Sequence, residues 1–398
     1  PSSSNSLLSY VTLAFDPQGQ PLGAALDELT AHTLLAWVAS ASVPAAKPIQ
    51  STTTGSSGAT GSTSGTAPNL TINAFSQSSP DGSSMLLFDP TLDAYADQPL
   101  DGSVAQSMSG AALEPSWFPD GTGTIGVRMA NLTEQVGEEL ILGGAPNVAV
   151  ASTFQFDPAN IGALANAEYH EPLFSPDGLH YSFFLVNSGT VQLWVGGRNE
   201  AARSVATSVI PNDAMVDLPL AARWVGKDDL IFLMADNWSR GLPQRTILAR
   251  WSVAPDGVGS VSSLIGWSTR GSETGILGQE LSLSADGTRL AVRLRHFTGA
   301  DPQTDRYDSI VVAGTNDVSQ AFEIVRDSPG SGLSWSPDGS ELAAGLRGKI
   351  AVLAADGRTV EYPQIGNESA AYPLWIQPNQ IWFSADNGTR QIIQSLTR

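Results

Sequence analysis

The sequence offers few residues whose type and spacing suit catalysis or metal binding. It contains 4 histidines and no cysteine, which excludes disulfides, thiolate metal sites and a cysteine nucleophile. The histidines are His32, His170, His180 and His296. No two of them have the tight spacing of a metal-binding pair, so we predict a structural or surface role for each. His170 and His180 flank one turn, but the expected hairpin register places His180 near Leu173 rather than opposite His170.

Most of the conspicuous acidic residues lie in Asp-Gly turns. These repeated aspartates are Asp81, Asp120, Asp177, Asp286 and Asp338. We expect them to stabilise turns and do not assign them as catalytic carboxylates. Asp301, Asp305 and Asp308 form a looser acidic group without the alternating spacing of a calcium loop, and we predict that they are solvated. The sequence therefore predicts no catalytic, cofactor-binding or metal-binding residues, and no cofactor.

A Gly-x-Gly-x-x-Gly pattern occurs at residues 121–126. The dinucleotide-binding fingerprint needs a preceding strand and a helix that begins at the glycines. Here the glycines continue a turn into a predicted strand, so we interpret the match as accidental. The chain also has no Gly-x-Ser-x-Gly nucleophile elbow.

Composition limits the possible partners. The 398 residues carry a net charge of −19, and such an acidic surface disfavours nucleic acid and anionic membranes. No apolar stretch reaches the roughly 18–20 residues of a membrane helix. The polar, Ser-rich start predicts an extracytoplasmic protein, either secreted, periplasmic or at the cell surface, with a possible lipid tether before residue 1.

One short pattern recurs along the chain: an apolar or aromatic residue, Ser, Pro, Asp and Gly, then a second apolar run. Five copies are clear, at residues 79–82, 117–121, 173–178, 283–287 and 333–339. Two weaker copies follow the same outline at residues 223–228 and 374–379. Successive copies lie about 40–60 residues apart, which suits a repeated unit of four strands.

Each copy is predicted to be a hairpin turn. Proline fixes φ at the first central position of a type I turn, and glycine accepts the left-handed backbone that closes the loop. The flanking runs alternate in the manner of strands, so each turn is expected to join the first two strands of its unit. Third strands are expected at residues 191–195, 246–251, 309–312 and 350–353.

These units predict an all-β protein of the β-propeller class. A single four-stranded sheet buries its apolar faces only against neighbours, and radial repetition into a closed ring supplies them. The repeat resembles the Pro-Asp-containing, WD40-like (PD40) family found in TolB-like propellers and in the propeller domains of prolyl oligopeptidase relatives. The resemblance covers about residues 70–386 and implies a propeller that makes protein contacts. The hydrolase domain of the peptidases has no counterpart here.

Seven blades are favoured, with eight or six as alternatives. The last copy of the turn is followed by only enough residues for two more strands, so the ring needs a closing strand from the N-terminus. We predict that residues 1–16 contain it, at 7–15, and that 17–69 form an extension or degenerate blade with a Ser/Thr/Gly-rich loop at 51–68. Residues 70–398 then form the blades. Residues 293–307 are expected to lengthen one hairpin.

The function predicted from the sequence is that of a non-catalytic, extracytoplasmic scaffold that binds protein partners, or of a subunit of a cell-envelope assembly. The alternative is a propeller enzyme, such as a glycoside hydrolase or lactonase, with its site in the central funnel. The absence of any catalytic motif favours the scaffold. Asn-x-Ser/Thr sequences carry little weight in so Ser/Thr-rich a chain; they begin at Asn69, Asn131, Asn237, Asn367 and Asn387.

Overall fold

The computed structural model describes residues 70–91, 94–107, 113–121, 123–129, 138–144, 168–187, 189–197, 200–216, 220–253, 259–358, 360–363, 369–386 and 391–397. Within these ranges the secondary structure is all β apart from a 3-10 turn at Val318–Gln320. They contain no helix long and apolar enough to cross a membrane. The predicted closing strand within residues 1–16, and the extension at 17–69 with its loop at 51–68, lie outside the described residues.

Strand pairing divides the described residues into seven antiparallel sheets, numbered in chain order. Sheets 1 to 3 contain β1 (Gln77–Ser78), β2 (Ser84–Asp89), β3 (Ala94–Pro99) and β4 (Gln106–Ser107); β5 (Leu113–Trp117), β6 (Gly123–Met129) and β7 (Glu138–Gly144); and β8 (Glu168–Phe174), β9 (His180–Asn187), β10 (Thr190–Gly197) and β11 (Glu200–Val209).

Sheets 4 to 7 contain β12 (Ala222–Trp224), β13 (Asp229–Ser239), β14 (Leu242–Val253) and β15 (Gly259–Ser268); β16 (Gly275–Leu283), β17 (Arg289–Phe297), β18 (Arg306–Gly314) and β19 (Phe322–Asp327); β20 (Leu333–Trp335), β21 (Glu341–Leu346), β22 (Lys349–Ala354) and β23 (Val360–Glu361); and β24 (Ser369–Gln377), β25 (Gln380–Asp386) and β26 (Gln391–Thr397). Strands pair in chain order within every sheet. The predicted third strands are confirmed as parts of β10, β14, β18 and β22.

The recurring turn is a hairpin device, as predicted. The N–H of Gly339 donates to the backbone oxygen of Ser336 at 2.8 Å, and Gly339 has φ 68°. Asp338 Oδ1 accepts from Ser336 Oγ at 2.6 Å and from the N–H of Ser340 at 3.0 Å. The N–H of Glu341 donates to Ser336 Oγ at 2.9 Å, which fastens the start of β21 to the turn. The same bonds recur in the turns of Asp81, Asp177 and Asp286.

The sheets are arranged in a ring. First strands of neighbouring sheets contact each other in the pairs β5–β8, β8–β12, β12–β16, β16–β20, β20–β24 and β24–β1. Trp117 of sheet 2 packs on Leu86 and Tyr95 of sheet 1. Ile376 of sheet 7 packs with Met85 of sheet 1, so apolar contacts continue around the whole ring. Because the first strands meet one another, they lie nearest the ring axis.

The core lies between the sheets. The second and third strands carry its apolar residues, as in sheet 6, where Leu342, Ala344 and Leu353 are fully buried and pack on Ile310 of sheet 5. Burying a side chain such as leucine contributes about 1.5–3 kcal/mol relative to leaving it exposed. Each sheet therefore depends on its neighbours for much of its stability.

The protein is thus an all-β propeller, which confirms the predicted class. The propeller is identified with six blades. Strand pairing among the described residues gives seven antiparallel sheets, so the two counts differ by one. The seven-blade count and the closure by an N-terminal strand are not confirmed and stay predictions.

Candidate functional site

Three glutamates occupy one repeat position on the first strands, at the same spacing before the turn aspartate. The pairs of glutamate and turn aspartate are Glu114 and Asp120, Glu171 and Asp177, and Glu280 and Asp286. Each glutamate accepts a hydrogen bond from the backbone of the next sheet. The donors are the N–H groups of Glu171 at 2.6 Å, Ala222 at 3.4 Å and Gly332 at 2.8 Å. The three carboxylates therefore lie near the ring axis and join successive sheets.

Two of these glutamates sit in β-bulges with unusual backbone conformation. The register of β5 against β6 shifts between Leu113 and Ser116, and that of β8 against β9 shifts between His170 and Leu173. Glu114 has φ 49° and Glu171 has φ 44°. Such conformations cost about 1–3 kcal/mol for a residue other than glycine and persist only where surrounding contacts hold them. The bulges thus place both side chains at one position of adjacent sheets.

Glu114 is held by two groups of sheet 3. Its Oε1 lies 2.9 Å from Nδ1 of His170, while its Oε2 accepts the N–H of Glu171. On the other side of the imidazole, Nε2 of His170 lies 3.6 Å from Oε2 of Glu168. His170 is therefore flanked by two carboxylates, and Glu114 has a fixed orientation with lone pairs left on both oxygens.

Glu171 is paired with a cation of sheet 4. Its Oε2 lies 3.2 Å from Nη1 of Arg223. Burial raises the pKa of the Glu171 carboxyl above its ordinary value, and the Arg223 guanidinium opposes that shift only in part. The carboxylate of Glu114 adds to the rise in the pKa of Glu171. Glu171 is thus biased toward its protonated form beside a second, anchored carboxylate.

These groups are reachable from solvent. The exposed side-chain fraction is 15% for Glu114 and 19% for His170, 21% for Glu171 and 38% for Arg223. We define Glu114, His170, Glu171 and Arg223 as the first-strand site. Its combination of a protonatable acid, an anchored carboxylate, an imidazole and a guanidinium can donate and accept protons at a bound substrate.

The third glutamate has a different environment. Oε2 of Glu280 lies 3.0 Å from Nε of Arg293, which is fully buried. Arg293 also contacts Asp308, and Asp308 receives two hydrogen bonds from Arg295, at 2.8 and 3.0 Å. The N–H of Gly330 donates to the same carboxylate at 3.1 Å. These side chains form an ionic layer between sheets 5 and 6. Glu280 therefore has a structural role, because it pairs with the buried Arg293 in this layer.

A serine, a histidine and a glutamate are hydrogen-bonded in series in sheet 5. Nε2 of His296 lies 2.8 Å from Oγ of Ser309, and Nδ1 lies 3.0 Å from Oε1 of Glu273. Tyr307 stacks on the imidazole at 4.5 Å and donates to Glu273 at 2.5 Å. The order resembles a catalytic triad, but Ser309 is fully buried. Because no substrate reaches its hydroxyl, this network is structural.

The structure places the residues singled out from sequence as follows. His180 lies across the hairpin from Ser175 and stacks on Trp224, while His170 pairs with Phe184. The predicted separation of His180 from His170 is therefore confirmed, but the predicted place of His180 near Leu173 is wrong, because Leu173 pairs with Ser182. The expectation that Asp308 is solvated is wrong, because two arginines neutralise it in the core. Within the described ranges no group of three or more His, Asp or Glu residues could hold a metal ion. The hairpin predicted to be lengthened at residues 293–307 has its loop between β17 and β18.

The first-strand site was missed by sequence reasoning, although a signal was present. Glu-Pro-x-aromatic occurs at 114–117 and 171–174, and the similar Tyr-Pro-Leu-Trp occurs at 372–375, one residue further from its turn. Aligning the repeats on the turn aspartate would have placed Glu114 and Glu171 in one position of adjacent sheets. Since first strands meet at the ring axis, that alignment predicts two carboxylates close together.

Comparison with known proteins supports the fold. The chain is similar to an oligogalacturonate lyase solved in complex with manganese, with a TM-score of 0.56 and 12% identity over 83% of this chain and 90% of that one. It is also similar to the Kuenenia stuttgartiensis hydrazine synthase, with a TM-score of 0.50 and 12% identity over 84% of this chain and 99% of that one. For the β-propeller domain of the trilobed protease from Pyrococcus furiosus, the TM-score is 0.43 and the identity 13%, over 69% of this chain and 76% of that domain.

No protein-family model and no curated protein matches the chain. The resemblance to the PD40 repeat family is therefore supported only at the coarser level of the propeller fold. The predicted extracytoplasmic location and protein partner stay predictions.

The comparisons correct the function predicted from sequence. The prediction of a non-catalytic binding scaffold is wrong, because the similar structures with TM-scores of 0.56 and 0.50 are enzymes. At 12% identity the likeness shows the fold alone and assigns no reaction.

Proposed function

We propose that the protein is a propeller enzyme of the glycoside hydrolase type, with the first-strand site as its acid–base centre. The observation that carries the proposal is the environment of Glu171. Burial and the neighbouring Glu114 carboxylate keep its pKa high, while 21% of its side chain remains exposed. A neutral carboxylic acid beside a fixed carboxylate is the pairing that cleavage of a glycosidic bond requires.

In this proposal Glu171 is the general acid. Its proton passes to the glycosidic oxygen as the bond from that oxygen to the anomeric carbon breaks. Glu114 is the general base, which takes a proton from the water that attacks the anomeric carbon. His170, at 2.9 Å from Glu114, orients the base. Attack by water on the face opposite the leaving group gives a product with inverted configuration.

Accessibility favours this site over the buried series of Glu273, His296 and Ser309. Ser309 has no exposed surface, and His296 has 6%. All four members of the first-strand site are at least 15% exposed. A substrate therefore has access to the first-strand site without any rearrangement of the sheets.

The test is hydrolysis of a panel of nitrophenyl glycosides by the wild type and by Glu171→Gln and Glu114→Gln. Removing a general acid or base is expected to lower kcat about 10²- to 10⁴-fold. The configuration of the released sugar, followed by NMR, checks the assignment of Glu114 as a base. Full activity of both variants, or no hydrolysis of any panel member by the wild type, would overturn the proposal.

Two matched controls separate catalysis from packing. Glu280→Gln removes a carboxylate at the same repeat position, where it bonds Gly332 of the next sheet. Glu323→Gln removes an exposed carboxylate on β19. We expect Glu280→Gln to lower thermal stability while kcat of the folded protein is kept, and Glu323→Gln to change neither.

We also propose that the ring has seven blades and that residues 7–15 supply the fourth strand of sheet 7. Five of the seven sheets have four strands among the described residues, whereas sheet 7 has three and ends at β26. Residues 7–15 are an apolar stretch of strand length. Pairing of the two chain ends would give the ring its last strand and hold it closed.

Cysteine cross-linking tests this closure, since the chain has no native cysteine. Ser395→Cys on β26 is combined in turn with Tyr10→Cys, Val11→Cys and Thr12→Cys. Adjacent strands bring paired Cα atoms within about 4.5–5.5 Å, which a disulfide spans. At least one pair should form an intramolecular disulfide on mild oxidation, while Val360→Cys with Val11→Cys should not. Failure of all three pairs contradicts the closure.

A further inference from the structure

Arg223 has unused hydrogen-bond donors at the first-strand site. Its Nη1 donates to Oε2 of Glu171 at 3.2 Å and to the backbone oxygen of Ala222 at 2.6 Å. Among the described residues, Nε and Nη2 of Arg223 have no hydrogen-bond partner. These two nitrogens form one side of the planar guanidinium fork, which matches the two oxygens of a carboxylate.

The Arg223 side chain extends from β12 to Glu171 of sheet 3. Ala222 and Trp224 pack in the cluster shared with sheet 3, and alternation along the strand directs Arg223 to the opposite face. Its Nη1 nevertheless reaches Glu171 of sheet 3. The side chain must therefore cross the inner edge of β12, and its 38% exposed fraction leaves the unused donors open to a ligand.

The carboxylate of Glu171 is the anionic partner that neutralises the positive charge of Arg223. When Glu171 carries a proton, as a general acid must, the guanidinium has lost its anionic partner. An anionic group on Nε and Nη2 restores that balance. Such a group also weakens the ion pair between Arg223 and Glu171, which favours the protonated acid further.

We propose that Arg223 binds a carboxylate group of the substrate, so that the first-strand site acts on an acidic saccharide of the uronide class. This inference rests on the proposed glycoside hydrolase function. The carboxylate of the sugar occupies the Nε and Nη2 side of Arg223, and the glycosidic oxygen lies beside Glu171. A substrate of this class thereby promotes protonation of the residue that cleaves it.

The test compares nitrophenyl uronides with neutral nitrophenyl hexosides that differ only at C6. We expect kcat/KM of the wild type to be about 10- to 100-fold higher for the uronide, because a hydrogen-bonded charged group contributes on that order. Because Arg223 also contacts Glu171, Arg223→Gln can change both values, and it should lower the uronide value more than the hexoside value and so remove most of the difference. Arg223→Lys, which keeps the charge and loses the fork, should restore part of it. Arg358→Gln, at an arginine whose side chain is 85% exposed, is the matched control and should leave the difference unchanged.

Equilibrium binding of free uronic acids and hexoses, measured by calorimetry, separates failure of this inference from failure of the proposed function. Uronic acid binding that depends on Arg223, without hydrolysis of any glycoside, supports the carboxylate site and contradicts the hydrolase. Hydrolysis without preference for uronides, or a preference that survives Arg223→Gln, overturns the carboxylate site and leaves the hydrolase standing. Circular dichroism of each variant confirms that the sheets are intact.

Discussion

The N–H of Glu171 donates to the carboxylate of Glu114 at 2.6 Å, which joins two glutamates that occupy one repeat position in adjacent sheets. The bond fixes the orientation of the Glu114 carboxylate and leaves the Glu171 side chain directed to Arg223. Glu171 thus contacts Glu114 through its backbone and Arg223 through its side chain. The repeat that builds the ring also sets two carboxylates of different character side by side.

The pH dependence of activity should follow Glu171. Burial raises the pKa of this carboxyl, so kcat should fall as the pH rises through that value and the general acid ionises. Glu171→Gln should remove this alkaline limb together with most of the activity, and Glu280→Gln should retain the limb. A wild-type profile that stays flat on the alkaline side contradicts the assignment of Glu171 as the acid.

The stability of the protein should also report on Glu171. A carboxyl whose pKa is raised on folding stabilises the folded state fully below its unfolded pKa, and this contribution is lost as the pH rises through the folded pKa. The melting temperature of Glu171→Gln should therefore change less between acidic and neutral pH than that of the wild type. Calorimetry across this range makes the comparison, and parallel curves for the two proteins speak against a raised pKa.

The turn aspartates should act on stability and leave catalysis unchanged. Hydrogen bonds from the Ser336 and Ser340 side chains and from the Ser340 N–H lower the pKa of Asp338 to about 2. Asp338→Ala should lower the melting temperature at pH 7, and the difference from the wild type should shrink as the pH falls below 3.8 toward 2, where the carboxylate is protonated. Asp356→Ala, at another Asp-Gly turn with a single backbone bond to Arg358, is the milder control.

The turns could be predicted from the sequence because every group in them is local. Ser336, Asp338 and Gly339 lie within four positions, and their roles follow from the φ angles and hydrogen bonds each residue type prefers. The same locality predicted the strands that flank each turn. The propeller class followed from repetition of this unit, whereas closure of the ring depends on residues far apart in the chain.

The site and the ionic layer depend on contacts between distant residues. Glu114 and His170 are 56 positions apart, so their contact could be predicted from the sequence only by aligning the repeats. Asp308 and Arg295 are 13 positions apart on paired strands, but no sequence pattern indicates that this aspartate is buried rather than solvated. Burial depends on how sheets 5 and 6 pack, and the spacing of charged residues does not encode it.

Breaking the ionic layer should be costly. Asp308 is fully buried and contacts Arg293, also fully buried, and Arg295. Asp308→Asn should lower the free energy of unfolding by about 3–5 kcal/mol, because it leaves buried positive charge without its anion. Denaturant titration measures the loss. Glu323→Gln, which breaks the exposed pair with Arg326, should cost about 0–1 kcal/mol, and equal losses for the two variants would contradict the account.

The His296 network should make the protein less stable as the pH falls below neutrality. Burial lowers the pKa of His296 below its ordinary value of 6.5, and the neighbouring Glu273 opposes this shift only in part. Burial also acts to raise the pKa of Glu273, but hydrogen bonds from Tyr307 and from the Arg270 N–H outweigh it and leave the pKa lowered. The cation of Arg326 lies over the Tyr307 ring at 4.9 Å and further disfavours a protonated imidazole.

The sign follows from proton binding. Between the folded pKa of His296 and 6.5, the unfolded chain binds more protons than the folded protein, so stability is present above 6.5 and is lost as the pH falls. His296→Gln, which can still bond Ser309, should flatten the dependence of the melting temperature between pH 7.5 and roughly pH 5. If His296→Gln keeps the wild-type slope, the network does not titrate in this range and the assignment fails.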